Sequence, residues 1–108
     1  MVVTGDCSFV DEVIIFNGNM KDIYMKELSK LATGLMKRNI PFSFTAFMNG
    51  GKIDWGTCDA ICHDGSYGRQ DGLLEIMGNL VDETKTEDTV EGWLTAEDIL
   101  NRIDKKGV

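Results

Sequence analysis

The sequence predicts an α+β fold, in which a small antiparallel sheet of three to four strands carries an amphipathic helix and two C-terminal helices. Three observations predict it. Residues 20–37 show helical apolar spacing, residues 42–55 alternate around the turn Asn49-Gly50-Gly51, and two later stretches again space apolar residues as helices do. With 108 residues, the chain is expected to form one domain over residues 1–108, because it is too short for a second useful core.

The first twenty residues predict one short strand. Residues 1–12 mix small and acidic side chains without a period, which indicates a loosely ordered lead-in. The β-branched and aromatic run Val13–Phe16 ends at the turn pair Asn17-Gly18, as a buried strand does. Asn19 follows at the position of a helix N-cap.

The next element is an amphipathic helix from Met20 to Lys37. Lysines lie mostly off its apolar stripe, so the predicted helix has a wet, basic back. Asn39, before Ile40-Pro41, marks its end. The stripe that faces the predicted core comprises Met20, Ile23, Tyr24, Leu28, Leu31, Ala32 and Leu35.

A β-hairpin is predicted after this helix. The alternating segment 42–48 leads into Asn49-Gly50-Gly51, whose residues tolerate the positive φ that tight hairpin turns require. Lys52–Trp55 is the returning strand. Residues 57–62 alternate again and indicate a further strand.

The C-terminal third predicts two helices. The glycine-rich loop 63–72 leads into a helix from Asp71 or Gly72 to about Val81, because Leu73, Leu74, Met77, Leu80 and Val81 form a stripe. Residues 82–91 hold five acids and one lysine and indicate a solvated connector. Trp93 and the earlier Trp55 are interpreted as core or rim anchors rather than as side chains that stack on a ligand.

The last helix is predicted from a capping box. Thr95 precedes Asp98 by three residues, with Asp in place of the usual Glu, and Ile99, Leu100 and Ile103 form the apolar face. Asp98 and Arg102 are spaced as an ordinary helix-surface ion pair.

Composition excludes several classes of protein. The net charge of −7 argues against general affinity for nucleic acid. The longest apolar run, Val13–Phe16, is far too short to span a bilayer, and no signal sequence opens the chain. Three cysteines without a disulfide framework agree with a reducing, cytoplasmic location.

Cys58, Cys62 and His63 are the first candidates for chemistry. With Cys7 they could ligate zinc, but residues four apart on a strand lie about 13 Å apart, too far for two sulfurs to share one ion. Neighbouring strand residues also point to opposite faces, which separates Cys62 from His63 and argues against a nucleophilic pair. Cys58 and Cys62 are instead predicted to fill one buried face of the sheet. We therefore predict no metal, no cofactor and no catalytic residues.

The loop Gly65–Gly72 is the second candidate. Its backbone amides, a helix N-terminus and Arg69 could hold an anion, with His63 and Tyr67 as further contacts. The phosphate-loop ending Gly-Lys-Ser/Thr is missing, and Asp71 would repel an anion at the helix start. Conformational need for glycine therefore competes with ligand binding as the explanation of this loop.

Charge is distributed unevenly along the chain. Residues 19–40 carry five basic and two acidic side chains, whereas residues 82–91 have a local charge of −4. A bipolar surface of this kind favours an oppositely charged partner. The alternative interpretation is that both charged regions are simply solvated surfaces without a partner. The acids predicted to contact a basic partner are Asp82, Glu83, Glu87, Asp88 and Glu91.

Two stretches, Asp59–Gly78 and Gly92–Asp98, resemble small uncharacterised accessory proteins of phages and prophages of Gram-positive bacteria. The resemblance covers a little over half of the chain and brings no activity or catalytic residue with it. It implies expression in the cytoplasm of a bacterial host. It also implies the binding and inhibition of a host protein, for example a CRISPR nuclease or another defence protein.

The leading functional hypothesis is a non-catalytic module that binds a host protein with a basic surface. The alternative is a small-ligand or nucleotide-binding protein that uses the loop Gly65–Gly72. A third hypothesis places nucleic acid on the basic helix back, against which the overall acidity argues. Homodimerisation through an exposed strand edge is compatible with all three.

Overall fold

The computed structural model describes residues 2–4, 22–47 and 49–107. Within these ranges, neither helix has the length and apolar character that a membrane span requires. The elements in chain order are β1 (Val2–Thr4), α1 (Asp22–Lys37), β2 (Ser43–Phe47), β3 (Gly50–Asp54), β4 (Cys58–His63), a single 3₁₀ turn (Arg69–Asp71), β5 (Leu74–Gly78), β6 (Val90–Leu94) and α2 (Ala96–Lys106).

The strands form one antiparallel sheet in the order of the chain, β1-β2-β3-β4-β5-β6. The α+β class is therefore confirmed, but the described residues form a sheet of six strands instead of three to four. The additional strands are β1, β5 and β6. Val2–Thr4 pairs with β2 although it lies in the predicted loose lead-in. The predicted strand Val13–Phe16 and the predicted cap Asn19 lie outside the described residues.

The core lies between the sheet and the two helices. Helix α1 packs on β3 and β4 and also contacts α2. Its predicted stripe is buried as expected at Leu28, Leu31 and Leu35, which share the core with Ile53 and Ala60. Of the described residues of the stripe, Ile23 is the exception because it is exposed, and Met20 lies outside the described residues.

The hairpin and the following strand are confirmed. In the hairpin, Phe47 faces Gly50 and Ser43 faces Asp54. Strand β4 is buried at every second residue, so that Cys58, Ala60 and Cys62 share its core face.

The predicted helix from residue 71 or 72 to 81 is wrong. Its residues instead form the short 3₁₀ turn, strand β5 and a following turn. Leu74 and Ile76 alternate into the core, and β5 pairs with both β4 and β6. The apolar run satisfies a helical and a strand period equally well, and the ladder of backbone hydrogen bonds offered by the edge of β4 decides between them.

The predicted capping box of the last helix is confirmed. The Thr95 side chain accepts a hydrogen bond from the Asp98 amide, and the Asp98 carboxylate accepts one from the Thr95 amide, at 3.1 and 3.0 Å. A second anchor joins this helix to α1: the buried Glu27 carboxylate accepts a hydrogen bond from the Ala96 amide at 2.9 Å. These bonds satisfy amides that would otherwise lack a partner at the helix start, and they fix α2 beside β6.

Candidate functional site

Two large aromatic side chains lie together on the surface. The rings of Tyr67 and Trp93, called the aromatic pair below, stack with centroids 5.4 Å apart and planes 17° apart. Tyr67 is 44% exposed and Trp93 is 59% exposed. The two backbones approach so closely that a Cβ atom on Gly92 would lie 2.3 Å from the Tyr67 Cβ. Glycine at position 92 therefore allows the pair to form.

Trp93 has an unusual backbone conformation. Its φ of 56° lies in the left-handed region, which a bulky residue rarely adopts and which costs about 1–2 kcal/mol. Trp93 lies within an irregularity in the pairing of β5 with β6, since Leu74 pairs with Leu94 and Ile76 pairs with Glu91. The two tryptophans, predicted as core or rim anchors, differ in the structure. Trp55 is buried in the core at 6% exposure, whereas Trp93 lies at the rim.

The aromatic pair borders an open cleft of about 570 Å³ between β6, the preceding loop and helix α2. This cleft is called the β6–α2 cleft below. Besides the aromatic pair, its walls include the charged side chains of Lys85, Asp88, Arg102 and Lys105. It therefore combines an aromatic wall with charged groups of both signs, an arrangement that suits the recognition of a partner group or a ligand.

A bidentate ion pair forms one wall of the β6–α2 cleft. The Arg102 guanidinium donates from Nη1 and Nη2 to the two carboxylate oxygens of Glu91, each at 2.7 Å, and Nη1 also donates to the Leu80 carbonyl. The side chains of Glu91 and Arg102 are only 7% and 18% exposed. The hydrogen bonds from Arg102 hold the pKa of Glu91 below its ordinary value.

This pair corrects two predictions. Residues 82–91 are not a solvated connector throughout, because β6 begins at Val90 and Glu91 is buried. Glu91 therefore does not lie with the exposed acids that were predicted to meet a partner. Arg102 makes its hydrogen-bonded ion pair with Glu91, eleven residues away, and not with Asp98. Glu91 also accepts a hydrogen bond from the Asp82 amide, which ties the connector to the sheet.

The remaining predicted acids lie on an exposed loop, residues 82–88, called the acidic loop below. Glu83, Glu87 and Asp88 are exposed, and Asp82 is half-buried. The Asp82 carboxylate accepts hydrogen bonds from the hydroxyl and the amide of Thr84, which lower the pKa of Asp82. The acidic loop thus has internal turn structure, and Asp88 connects it to the β6–α2 cleft.

The three predicted contacts of the glycine-rich loop are separated. Only Tyr67 lines the β6–α2 cleft. Arg69 donates to the Ser66 carbonyl at 3.1 Å, and His63 accepts a hydrogen bond from the Gly65 amide through Nδ1 at 2.9 Å. The helix expected to follow this loop is replaced by a three-residue turn. The helix N-terminus that the anion hypothesis invoked is therefore not present at this loop.

Cys58 and Cys62 are buried in the core, as predicted. Burial raises the pKa of both thiols to about 11, because the thiolate form is poorly solvated there. Cys7 lies outside the described residues. Among the residues that are described, no three His, Cys, Asp or Glu side chains come together as a metal site would require.

We expect the two buried thiols to be inert in the folded protein. A rise in pKa from 9.0 to about 11 reduces the thiolate fraction at neutral pH about a hundredfold, and burial further blocks the reagent. The measurement is thiol titration with a chromogenic disulfide in a Cys7→Ser variant, in native buffer and in guanidinium chloride. A native thiol that reacts as fast as free cysteine would contradict the expectation.

The predicted basic helix back is partly neutralised. Arg38 binds both carboxylate oxygens of Asp104 through Nε and Nη2, each at 2.8 Å, and lowers the pKa of Asp104. Lys30 forms an ion pair with Glu27 at 3.3 Å. Lys26 and Lys37 are exposed on the same helix.

No family model, curated protein or solved structure matches this chain. The resemblance to phage accessory proteins therefore remains a prediction. The candidate site is defined by the stacked aromatic pair and by the ion pair of Glu91 with Arg102.

Trp93 and Arg102 were not predicted as site residues, for two different reasons. Trp93 follows Gly92 in a short polar and apolar alternation, and a pattern of this kind does not say which face is solvated. Arg102 has a nearby acid at helical spacing, Asp98, which conceals its partner on another element. Gly92, directly before Trp93, is the sequence signal for the aromatic pair, because a glycine inside a strand often marks a close approach of two backbones.

Proposed function

We propose that this protein is a non-catalytic protein-binding module whose contact surface comprises the aromatic pair and the acidic loop. The observation that carries the proposal is the exposure of Tyr67 and Trp93, which stack on each other at the surface. Their partner is a protein with a basic surface.

The energetics of the aromatic pair support a binding role. Tyr and Trp are the side chains that most often dominate protein interfaces, because they bury a large area at a small cost in conformational entropy. Trp93 adopts a strained backbone conformation while its indole remains mostly exposed. Strain of this kind concentrates at functional sites. Contact with a partner would bury the exposed rings, and the free energy of that burial would offset the backbone strain at Trp93.

The acidic loop supplies the electrostatic part of the surface. Glu83, Glu87 and Asp88 are exposed, and Asp88 and the aromatic pair line the same cleft. An acidic rim beside an aromatic centre speeds association with a basic partner and disfavours acidic ones. If the phage resemblance holds, the partner is a host protein that handles nucleic acid or acts in defence, since such proteins carry basic grooves.

Affinity capture from a Gram-positive bacterial lysate, treated with nuclease, tests this proposal. The wild-type bait is compared with Trp93→Ala and with a Glu83→Lys, Glu87→Lys, Asp88→Lys variant. We expect the wild type to retain one stoichiometric protein, and both variants to lose most of it. Charge reversal should also reduce the salt dependence of binding, because fewer opposite charges remain at the interface.

The matched control is Lys26→Glu, Lys37→Glu on α1, which reverses exposed charges that do not line the β6–α2 cleft. This control should capture the same protein as the wild type. Equal capture by every variant, or the capture of nothing, would contradict the proposal. Circular dichroism of each bait verifies that it remains folded.

A further inference from the structure

Arg102 uses only part of its hydrogen-bonding capacity. A guanidinium has five N–H donors, two of which form a fork along the edge shared by Nε and Nη2. In Arg102, Nη1 donates to Glu91 and Leu80, and Nη2 donates once to Glu91. Among the described residues, the Nε donor and the second Nη2 donor receive no acceptor. The Nε/Nη2 edge of Arg102 therefore has no protein acceptor in this part of the chain, and the side chain, 18% exposed, lines the cleft.

Arg38 shows what such an edge binds in this protein. Its Nε and Nη2 each donate to one oxygen of the Asp104 carboxylate at 2.8 Å. The same edge of Arg102 is held rigidly by the bonds of its other edge to Glu91, so little entropy is lost when an oxyanion binds there. Arg102 therefore presents a preformed fork for an anion.

The surroundings of Arg102 define the size and charge of that anion. Lys85 and Lys105 are exposed and line the same cleft as Arg102. The charges of Glu91 and Arg102 offset each other in their ion pair, and Asp98 accepts a hydrogen bond from the Thr95 amide. The two lysines are therefore the cations of the cleft that face Asp88 of the acidic loop. A group with several anionic oxygens can contact the fork and both lysines, which favours a phosphate over a single carboxylate.

We propose that the β6–α2 cleft binds a nucleoside monophosphate. The base stacks on the aromatic pair, and the phosphate binds the open edge of Arg102 together with Lys85 and Lys105. A volume of about 570 Å³ lies within the usual range for small-molecule sites. This inference goes beyond the protein-binding role. It shares the aromatic pair with that role but adds Arg102, Lys85 and Lys105, and a nucleotide titration tests it without any partner protein.

A titration followed by nitrogen-15 NMR tests the proposal without any partner protein. The probes are AMP, GMP, CMP and UMP, with adenosine and inorganic phosphate as incomplete ligands. We expect the indole N–H signal of exposed Trp93 to shift on addition of a nucleotide, while that of buried Trp55 stays fixed. At least one monophosphate should bind more than tenfold tighter than adenosine or phosphate alone.

Arg102→Lys keeps a positive charge beside Glu91 but removes the second edge, and should weaken nucleotide binding at least tenfold. Arg38→Lys is the matched control, because its guanidinium is already bound to Asp104 and lies outside the cleft. Should Arg102→Lys fail to fold, Lys85→Gln, Lys105→Gln replaces two exposed side chains and should weaken binding several-fold.

Three results would overturn the proposal. The first is no shift of the Trp93 signal with any of the four nucleotides at millimolar concentration. The second is that none of the four monophosphates binds more tightly than adenosine, which would remove the phosphate from the site. The third is tighter binding of a short single-stranded RNA than of every mononucleotide, which would make nucleic acid the ligand.

Discussion

Replacement of Glu91 by Ala is expected to lower the free energy of unfolding by about 3 kcal/mol, because it leaves the half-buried Arg102 charge without its bidentate partner. The carboxylate also holds the Asp82 amide, so the connector loses its attachment to β6 at the same time. Urea unfolding followed by circular dichroism measures the loss. An exposed acid of the acidic loop, in the variant Glu87→Ala, is the matched control and should change stability by less than about 0.5 kcal/mol.

The pH dependence of stability gives a second readout for the same ion pair. The hydrogen bonds from Arg102 lower the pKa of Glu91 from its ordinary 4.5 in the folded protein. The contribution of Glu91 is therefore fully present above about pH 4.5 and is lost as the pH falls through the folded pKa. The difference in stability between wild type and Glu91→Gln should shrink on acidification. A difference that stays constant from pH 7 to pH 3 would mean that the pair does not stabilise the fold.

Replacement of Gly72 by Ala is expected to destabilise the protein by about 2–4 kcal/mol. Gly72 has a φ of 71°, and a Cβ atom there would lie 2.5 Å from the Ile23 carbonyl oxygen. Because the clash is with backbone, α1 or the loop must shift to relieve it. The sign of this effect is diagnostic, since a helix starting before residue 72 would instead be stabilised by about 1 kcal/mol when glycine is replaced by alanine.

Gly56→Ala is the matched control for Gly72→Ala. Gly56 also has a positive φ, of 98°, but a Cβ atom there meets nothing within 4 Å. It should therefore lose only about 1 kcal/mol, the cost of the backbone conformation alone. Thermal and urea unfolding of the two variants separate that cost from the clash. A Gly72→Ala protein as stable as the wild type would contradict the packing of this loop against α1.

Predictions from sequence succeeded where the signal was local. Helix α1 has a stripe that repeats over four turns, the hairpin has Asn49-Gly50-Gly51 between alternating segments, and α2 has its capping box within four residues. Each of these signals lies within one element, so no other part of the chain is needed to read it. The burial of Cys58 and Cys62 followed in the same way, because both lie in phase with Ala60 on one strand.

Predictions failed where the structure of a segment depends on backbone hydrogen bonds to a strand that is distant in the sequence. The segment after Gly72 has apolar residues that fit a helix, yet it forms β5 between two other strands. Val2–Thr4 is too short to show a strand period, although its residues are β-branched, and it becomes a strand by pairing with the edge of β2. Backbone donors and acceptors on an open edge are costly to leave unpaired, and this cost is invisible in the sequence of either partner.

In the candidate site, too, local features were predictable from the sequence and contacts between separate elements were not. The sequence by itself determined that Tyr67 lies in a glycine-rich loop, that residues 82–91 are rich in acids, and that two cysteines fill the core, because these properties belong to short segments. Only the tertiary structure decided that Trp93 stacks on Tyr67 and that Glu91 turns inward to Arg102. Both contacts join residues from separate elements, and whether a side chain faces solvent or a partner depends on which elements the fold brings together.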